Sequence, residues 1–269
     1  MVLSRAIFSV LGLLGAFALY QIFWLDALSW RWILAALIFI GIMVYVFQPQ
    51  INYWWMKRQN VQLNPLEHHF LLSHFPYYQQ LSEEDQKAFG QQCLFFVEAK
   101  DFILQGVPSL PDDIKLLIAA QAVGYEFLFA ERQSCFADFE RIAIYPHPFI
   151  SPDIDQVHAS ETHFGDKVWI FSLQQLLPGI TQPKAYFNVV AYEFAKTLNY
   201  KHPDWFAELK KLSHEEIWLK LEQEYGKTLP AIQRWINLEE IDPIAVYLTE
   251  LLFNASAKEI PVHPKVLPR

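Results

Sequence analysis

Residues 6 to 25, AIFSVLGLLGAFALYQIFWL, form twenty consecutive positions without a charge. As a helix rising about 1.5 Å per residue, this run is about 30 Å long, the thickness of a bilayer's hydrocarbon core. A second apolar run, Trp32 to Phe47, follows after a short link holding Asp26 and Arg31. It is shorter, but reaches across if Trp30, Arg31 and the flanking aromatic side chains sit in the interface. The expected element is a transmembrane helical hairpin over residues 1–58, with spans at about 6–25 and 30–47. A cleaved signal peptide is the competing reading, since Arg5 precedes the run and Ala16-Phe17-Ala18 has the small-x-small form of a cleavage site. Apolar residues continuing past Ala18 and a second run close behind favour the hairpin. Arg5 flanks one end of it, and Lys57 and Arg58 lie beyond the other. The bias of cations toward the cytoplasmic side then places both ends, and all that follows, in the cytoplasm.

Charge divides the chain the same way. The first 58 residues hold four cations and one acid, net +3, so the whole-chain charge of −8 leaves −11 for the rest. Affinity for a phosphate backbone comes largely from Lys and Arg, so nucleic acid is not an expected partner. Cys93 and Cys135 lie in apolar surroundings without a C-x-x-C spacing, which suits buried free thiols. Nine glycines and no phosphate-binding glycine loop leave nucleotide chemistry without a basis, and no G-x-S-x-G elbow marks a serine hydrolase.

Residues 59–74 read as a linker, with Pro49 and Pro65 interrupting helix on either side of its start. Ser82-Glu83-Glu84-Asp85 opens a helix with a serine cap and acids at the positive end of its dipole. Pro111 to Leu128 reads as a largely apolar core helix. Arg141–Tyr145 and Lys167–Phe171 have the β-branched and aromatic character of strands. Helices are expected again at about 185–200, 204–225 and 240–254, and residues 257–269 form a Pro-rich tail. Helices with a small sheet, without regular alternation, predict an α+β fold.

Within the helix at 188–199, NVVAYEFAKTLN, the spacing Tyr192-Glu193-x-x-Lys196 carries little meaning alone, because Glu and Lys three apart are common on solvated helices. Its surroundings give it meaning. FPYYQQLSEEDQKAF (75–89), LLIAAQAV (116–123), RIAIYPHPFI (141–150), KVWIFSLQQL (167–176), NVVAYEFAKTLN (188–199) and DPIAVYLTELLF (242–253) together resemble the Mlc titration factor A family of zinc-dependent peptidases. The resemblance implies a zincin-like metallopeptidase domain over residues 75–256, with the active-site helix beneath a sheet whose edge strand receives an extended peptide. By alignment that edge is Lys167–Ser172.

In the family, two helix histidines and a later glutamate hold zinc, and the glutamate after the first histidine is the general base. Zinc lowers the pKa of its water from 15.7 to about 7, which makes it indispensable to that scheme. Carried over, the general base is Glu193, and the metal-ligand positions are Tyr192, Lys196 and Ala245. A lysine is a cation without a free lone pair at neutral pH, and an alanine has no donor atom. The Lys196 ammonium is expected instead to pair with Glu193. Lys167, Trp169, Phe171, Asn199 and Glu250 are candidate cleft residues. These substitutions imply a membrane-anchored, non-catalytic peptidase-like domain that binds a cytoplasmic protein or peptide partner and needs no cofactor. The alternative is an active zinc-dependent aminopeptidase with noncanonical ligands, Tyr192, His202 and Glu250, about Glu193.

Overall fold

The computed structural model describes residues 3–25, 27, 29–59, 61–129, 135–183 and 185–254. The chain divides into two compact units, Met1–Val61 and Gln62–Arg269. The expected tail at 257–269 and residues 255–256 of the expected domain lie outside the described residues.

The first unit is helical, with α1 (Leu3–Trp24), α2 (Trp30–Val46) and α3 (Gln48–Gln59). The stretch Ala6–Trp24 of α1 is long and apolar enough, by length and composition, to cross a membrane; α2, at 17 residues, is a shorter apolar helix. The two pack together, and the Phe17 ring meets Trp30 edge-on at 5.5 Å. Pro49 does not interrupt α3, because it lies in the first turn, where its missing N–H has no intrahelical partner to lose.

The second unit contains α4 (Pro65–His74), α5 (Pro76–Gln79), α6 (Glu83–Ala99), β1 (Asp101–Leu104), α7 (Asp112–Leu128), β2 (Arg141–Tyr145), β3 (Ser160–His163), β4 (Val168–Ser172), α8 (Leu173–Thr181), α9 (Val189–Lys201), α10 (His214–Tyr225), α11 (Leu229–Ile236) and α12 (Pro243–Asn254). It is a helix-rich α+β unit. Residues 65–74, expected as linker, are a capped helix: Asn64 accepts from the amides of Leu66 and Glu67, and Glu67 returns a bond to the Asn64 amide. Pro65 stands at the first position of α4, where proline starts a helix rather than stopping one. The helix expected over 204–225 is broken. Short 3-10 turns at Pro203–Phe206 and Leu209–Lys211 precede α10, which restarts on a Ser213 and Glu216 capping box.

The sheet has the order β1-β2-β4-β3, parallel except for the antiparallel β3–β4 pair. The segment expected as its edge, 167–172, is therefore interior, with β4 bonded to β2 on one side and β3 on the other. Its Val, Trp, Ile and Phe suit that place, whereas the neighbouring edge strand, β3, reads Ser-Glu-Thr-His. Helix α9 lies against β3 and β4, and it packs also on α7, α8 and α12. The centre of this packing is the Phe194 ring, edge-on to Trp169 at 4.7 Å and 5.2 Å from Phe136. Gly179 of α8 lets the chain approach the start of α9, for a Cβ there would stand 2.7 Å from the Phe187 carbonyl oxygen.

Candidate functional site

Helix α9 begins on Asn188, whose side-chain oxygen accepts from the amides of Val190 and Ala191 at 3.1 and 2.9 Å. Its amide nitrogen donates to Gln121 of α7, so the start of the helix is tied to the core. This fixes the faces that Tyr192, Glu193 and Lys196 present.

Glu193 is 0% exposed. A buried carboxylate is tolerable when its lone pairs and charge are met. Ser160 Oγ donates to Oε1 at 2.8 Å, Thr162 Oγ1 donates to Oε2 at 2.7 Å, and the Lys196 Nζ stands 2.9 Å from Oε2. Two hydroxyls thus come from alternate residues of β3, which point to one face of the sheet. The cation comes from one turn further along α9 and keeps 23% of its side chain in solvent. Thr197 Oγ1 accepts from Trp169 Nε1 at 2.9 Å and donates to the Glu193 carbonyl, binding the same turn to β4.

Tyr192 is buried, with its hydroxyl accepting from the Asp242 amide at 3.1 Å. Burial, and next the adjacent Glu193 carboxylate, push its phenol well above the usual 10. The Lys196 ammonium lies 5.4 Å from the Tyr192 ring centroid. Asp242 also caps α12, its Oδ1 accepting from the amides of Ile244 and Ala245, while Oδ2 accepts from Asn199 Nδ2 at 3.0 Å. Ala245 is fully buried inside α12.

A sequence profile of the glucose-regulated metallo-peptidase M90 family matches residues 52–247. The chain belongs to this family. No curated protein matches the chain. Family chemistry calls for zinc, and the residues at the ligand positions that the resemblance implies, Tyr192, Lys196 and Ala245, do not fit the ion. Lys196 is a cation already paired with Glu193, the Tyr192 phenol is buried, with its pKa raised, and accepts from the Asp242 amide, and Ala245 offers no donor atom. Among the described residues no group of three His, Cys, Asp or Glu has metal-binding geometry. The other set considered from sequence is engaged elsewhere: His202 stacks on Trp205 at 4.1 Å, and Glu250 faces Lys227 at 3.4 Å and Asn254 at 3.2 Å. Burial raises the Glu250 pKa despite Lys227.

The remaining cleft candidates also find different places. Trp169 and Phe171 are wholly buried, so both side chains belong to the core rather than to a cleft wall. Lys167 occupies the β3–β4 turn with φ of 51° and pairs with Asp138 at 3.2 Å. Asn199 joins α9 to Asp242.

Sequence reading missed the residues that complete the site, Ser160 and Thr162, because a hydroxyl's partner across 33 or 31 residues leaves no local pattern. It also missed a buried neighbour pair. His158 Nε2 lies 3.2 Å from Glu161 Oε2, and its Nδ1 bonds the Gln156 carbonyl oxygen at 2.7 Å. Burial acts against charge on His158, but the Glu161 and Gln156 hydrogen bonds and the Glu161 and Glu193 charges carry its pKa above the ordinary 6.5. Burial likewise raises Glu161, yet the bonds from His158 and Ser151 and the His158 charge bring it below 4.5.

Proposed function

We propose that this protein is a membrane-tethered pseudopeptidase: an M90-family domain without peptide hydrolysis, held at the cytoplasmic face by its N-terminal helices, that acts by binding a protein or peptide partner. The observation that carries the reading is the Lys196 ammonium 2.9 Å from Glu193 Oε2. A general base must take a proton from an activated water. Glu193 instead has three donors from the protein, and its face toward the ligand positions is met by a fixed cation. Apolar α1, with Arg5 at its start and Lys57 and Arg58 after the second apolar helix, supports anchoring and the cytoplasmic orientation.

The test joins elemental analysis of the purified full chain to an assay on chromogenic aminopeptidase and endopeptidase substrates. The expected outcome is substoichiometric zinc and no turnover above that of Glu193→Gln. Stoichiometric zinc, with turnover lost in Glu193→Gln, would overturn the reading in favour of an active peptidase.

A further inference from the structure

We infer that α3 is a reader of anionic phospholipid, an inference that rests on the membrane-anchor part of the function proposed above. From Arg31 to Leu66 the chain holds no acid, and its cations there are Arg31, Lys57 and Arg58. The two neighbouring basic residues stand in the last turn of α3, one residue beyond Tyr53, Trp54 and Trp55. Trp54 is 50% exposed, and the Arg58 guanidinium carbon lies 3.9 Å from its ring centroid. An arginine stacked in this way has its fork oriented while its N–H edge stays available to phosphate oxygens.

Depth along the helices agrees with this assignment. The hydrogen-bond ladder continues from α2 into α3, Phe47 donating to the Met43 carbonyl and Ile51 to that of Phe47. A core of about 30 Å takes about twenty helical residues, so one that begins at Trp30 ends in the first turn of α3. Trp54 then lies about 6 Å past that boundary, at headgroup level, and Arg58 about 12 Å past it, near one Debye length. Counting back from Trp24 over the same thickness brings Arg5 to the same boundary, and α1 touches α3. By position along α1 and α3, Arg5, Lys57 and Arg58 therefore fall on the same side of that span.

The occupant fitted by this surface is the headgroup layer of an anionic phospholipid leaflet. Indole rings settle among headgroups and esters, while cations near an anionic surface each favour it by about fivefold. The competing reading is that Lys57 and Arg58 merely complement the negative end of the α3 dipole. That reading carries no dependence on lipid charge.

The experiment uses the full chain reconstituted in nanodiscs made from phosphatidylcholine and phosphatidylglycerol, with the lipid held by the protein exchanged into detergent and quantified by class. Wild type is expected to retain phosphatidylglycerol several-fold above its input share. Lys57→Gln with Arg58→Gln should bring that enrichment down toward the input share, and high salt should do the same for wild type without any substitution. Retention at the input ratio, or enrichment unmoved by both the variant and salt, would overturn the inference while leaving the anchor intact. A chain that stays in the aqueous fraction without entering discs would overturn the anchor and this inference together.

Discussion

At the scale of single residues, the Lys196–Glu193 pair decides how the rest of the site is understood. Lys196→Met would leave a fully buried carboxylate with two hydroxyl donors and without its paired ammonium, and is expected to cost about 3 kcal/mol in urea denaturation. Adding Glu193→Gln should restore much of that loss, because the uncompensated charge goes with it. If the two single variants and the double variant are simply additive, the pairing has no energetic role. Thr162→Val should cost about 1.5–3 kcal/mol in the same assay, the range for a hydrogen bond to a charged group. The pair itself was legible in the sequence, since i, i+3 spacing on a helix brings two side chains together whatever surrounds them. Its two hydroxyl donors were not, since β3 has none of the apolar alternation that marks a strand: its residues are chosen for what they bond rather than for burial of hydrocarbon. The His158–Glu161 pair was hidden for the same reason. His158 has a raised pKa, so its contribution is complete below 6.5 and is lost as pH rises through the folded value. Glu161 has a lowered one, so its contribution is complete above 4.5 and is lost as pH falls through the folded value. Both are fully present between those two ordinary values. Wild-type stability measured against His158→Phe should therefore show its largest difference near pH 5 to 6, shrinking on either side; a flat difference would exclude the ion pair.

At the scale of elements, α9 and α12 are locked by one residue that serves both. Asp242 caps α12, holds Asn199 of α9 and, through its amide, the Tyr192 hydroxyl. Asp242→Ala is expected to lose about 1–2 kcal/mol from the cap alone, whereas Asp242→Asn should retain most of it, as read from thermal melts. Gly179 makes a comparable point of contact between α8 and the entry to α9. Gly179→Ala must displace backbone, and about 1–3 kcal/mol of destabilisation is expected. Capping signals made several of these elements readable: Ser82 starts α6 as its acids predict. Proline misled where position within a helix mattered more than identity, at Pro49 and Pro65. The short strand β1 and the helix α11 were missed because four and eight residues give periodicity too little length to register.

At the scale of the whole molecule, an acidic domain follows a helical unit that carries the net positive charge. Full-length protein is expected to resist extraction from membranes by alkaline carbonate and to be released by detergent, as followed by fractionation; release by carbonate alone would remove α1 as an anchor. The α+β class was legible because helices and the two interior strands follow from periodicity and composition, but the strand order was not, since pairing between strands distant in sequence leaves no local pattern. Installing the ligand set that the resemblance implies is also a question for the molecule as a whole. Ala245→Glu would put an unpaired carboxylate into a fully buried turn and should destabilise the domain by about 3 kcal/mol or more unless Lys196→His and Tyr192→His accompany it with zinc. The ammonium beside Glu193 is joined to the chain by covalent bonds. Unlike an ion in equilibrium with a cellular pool, it cannot be chelated, exchanged for a rival metal or left unfilled under scarcity. A domain built around it should keep the same melting temperature in excess chelator, and the partner binding proposed above should be independent of zinc nutrition.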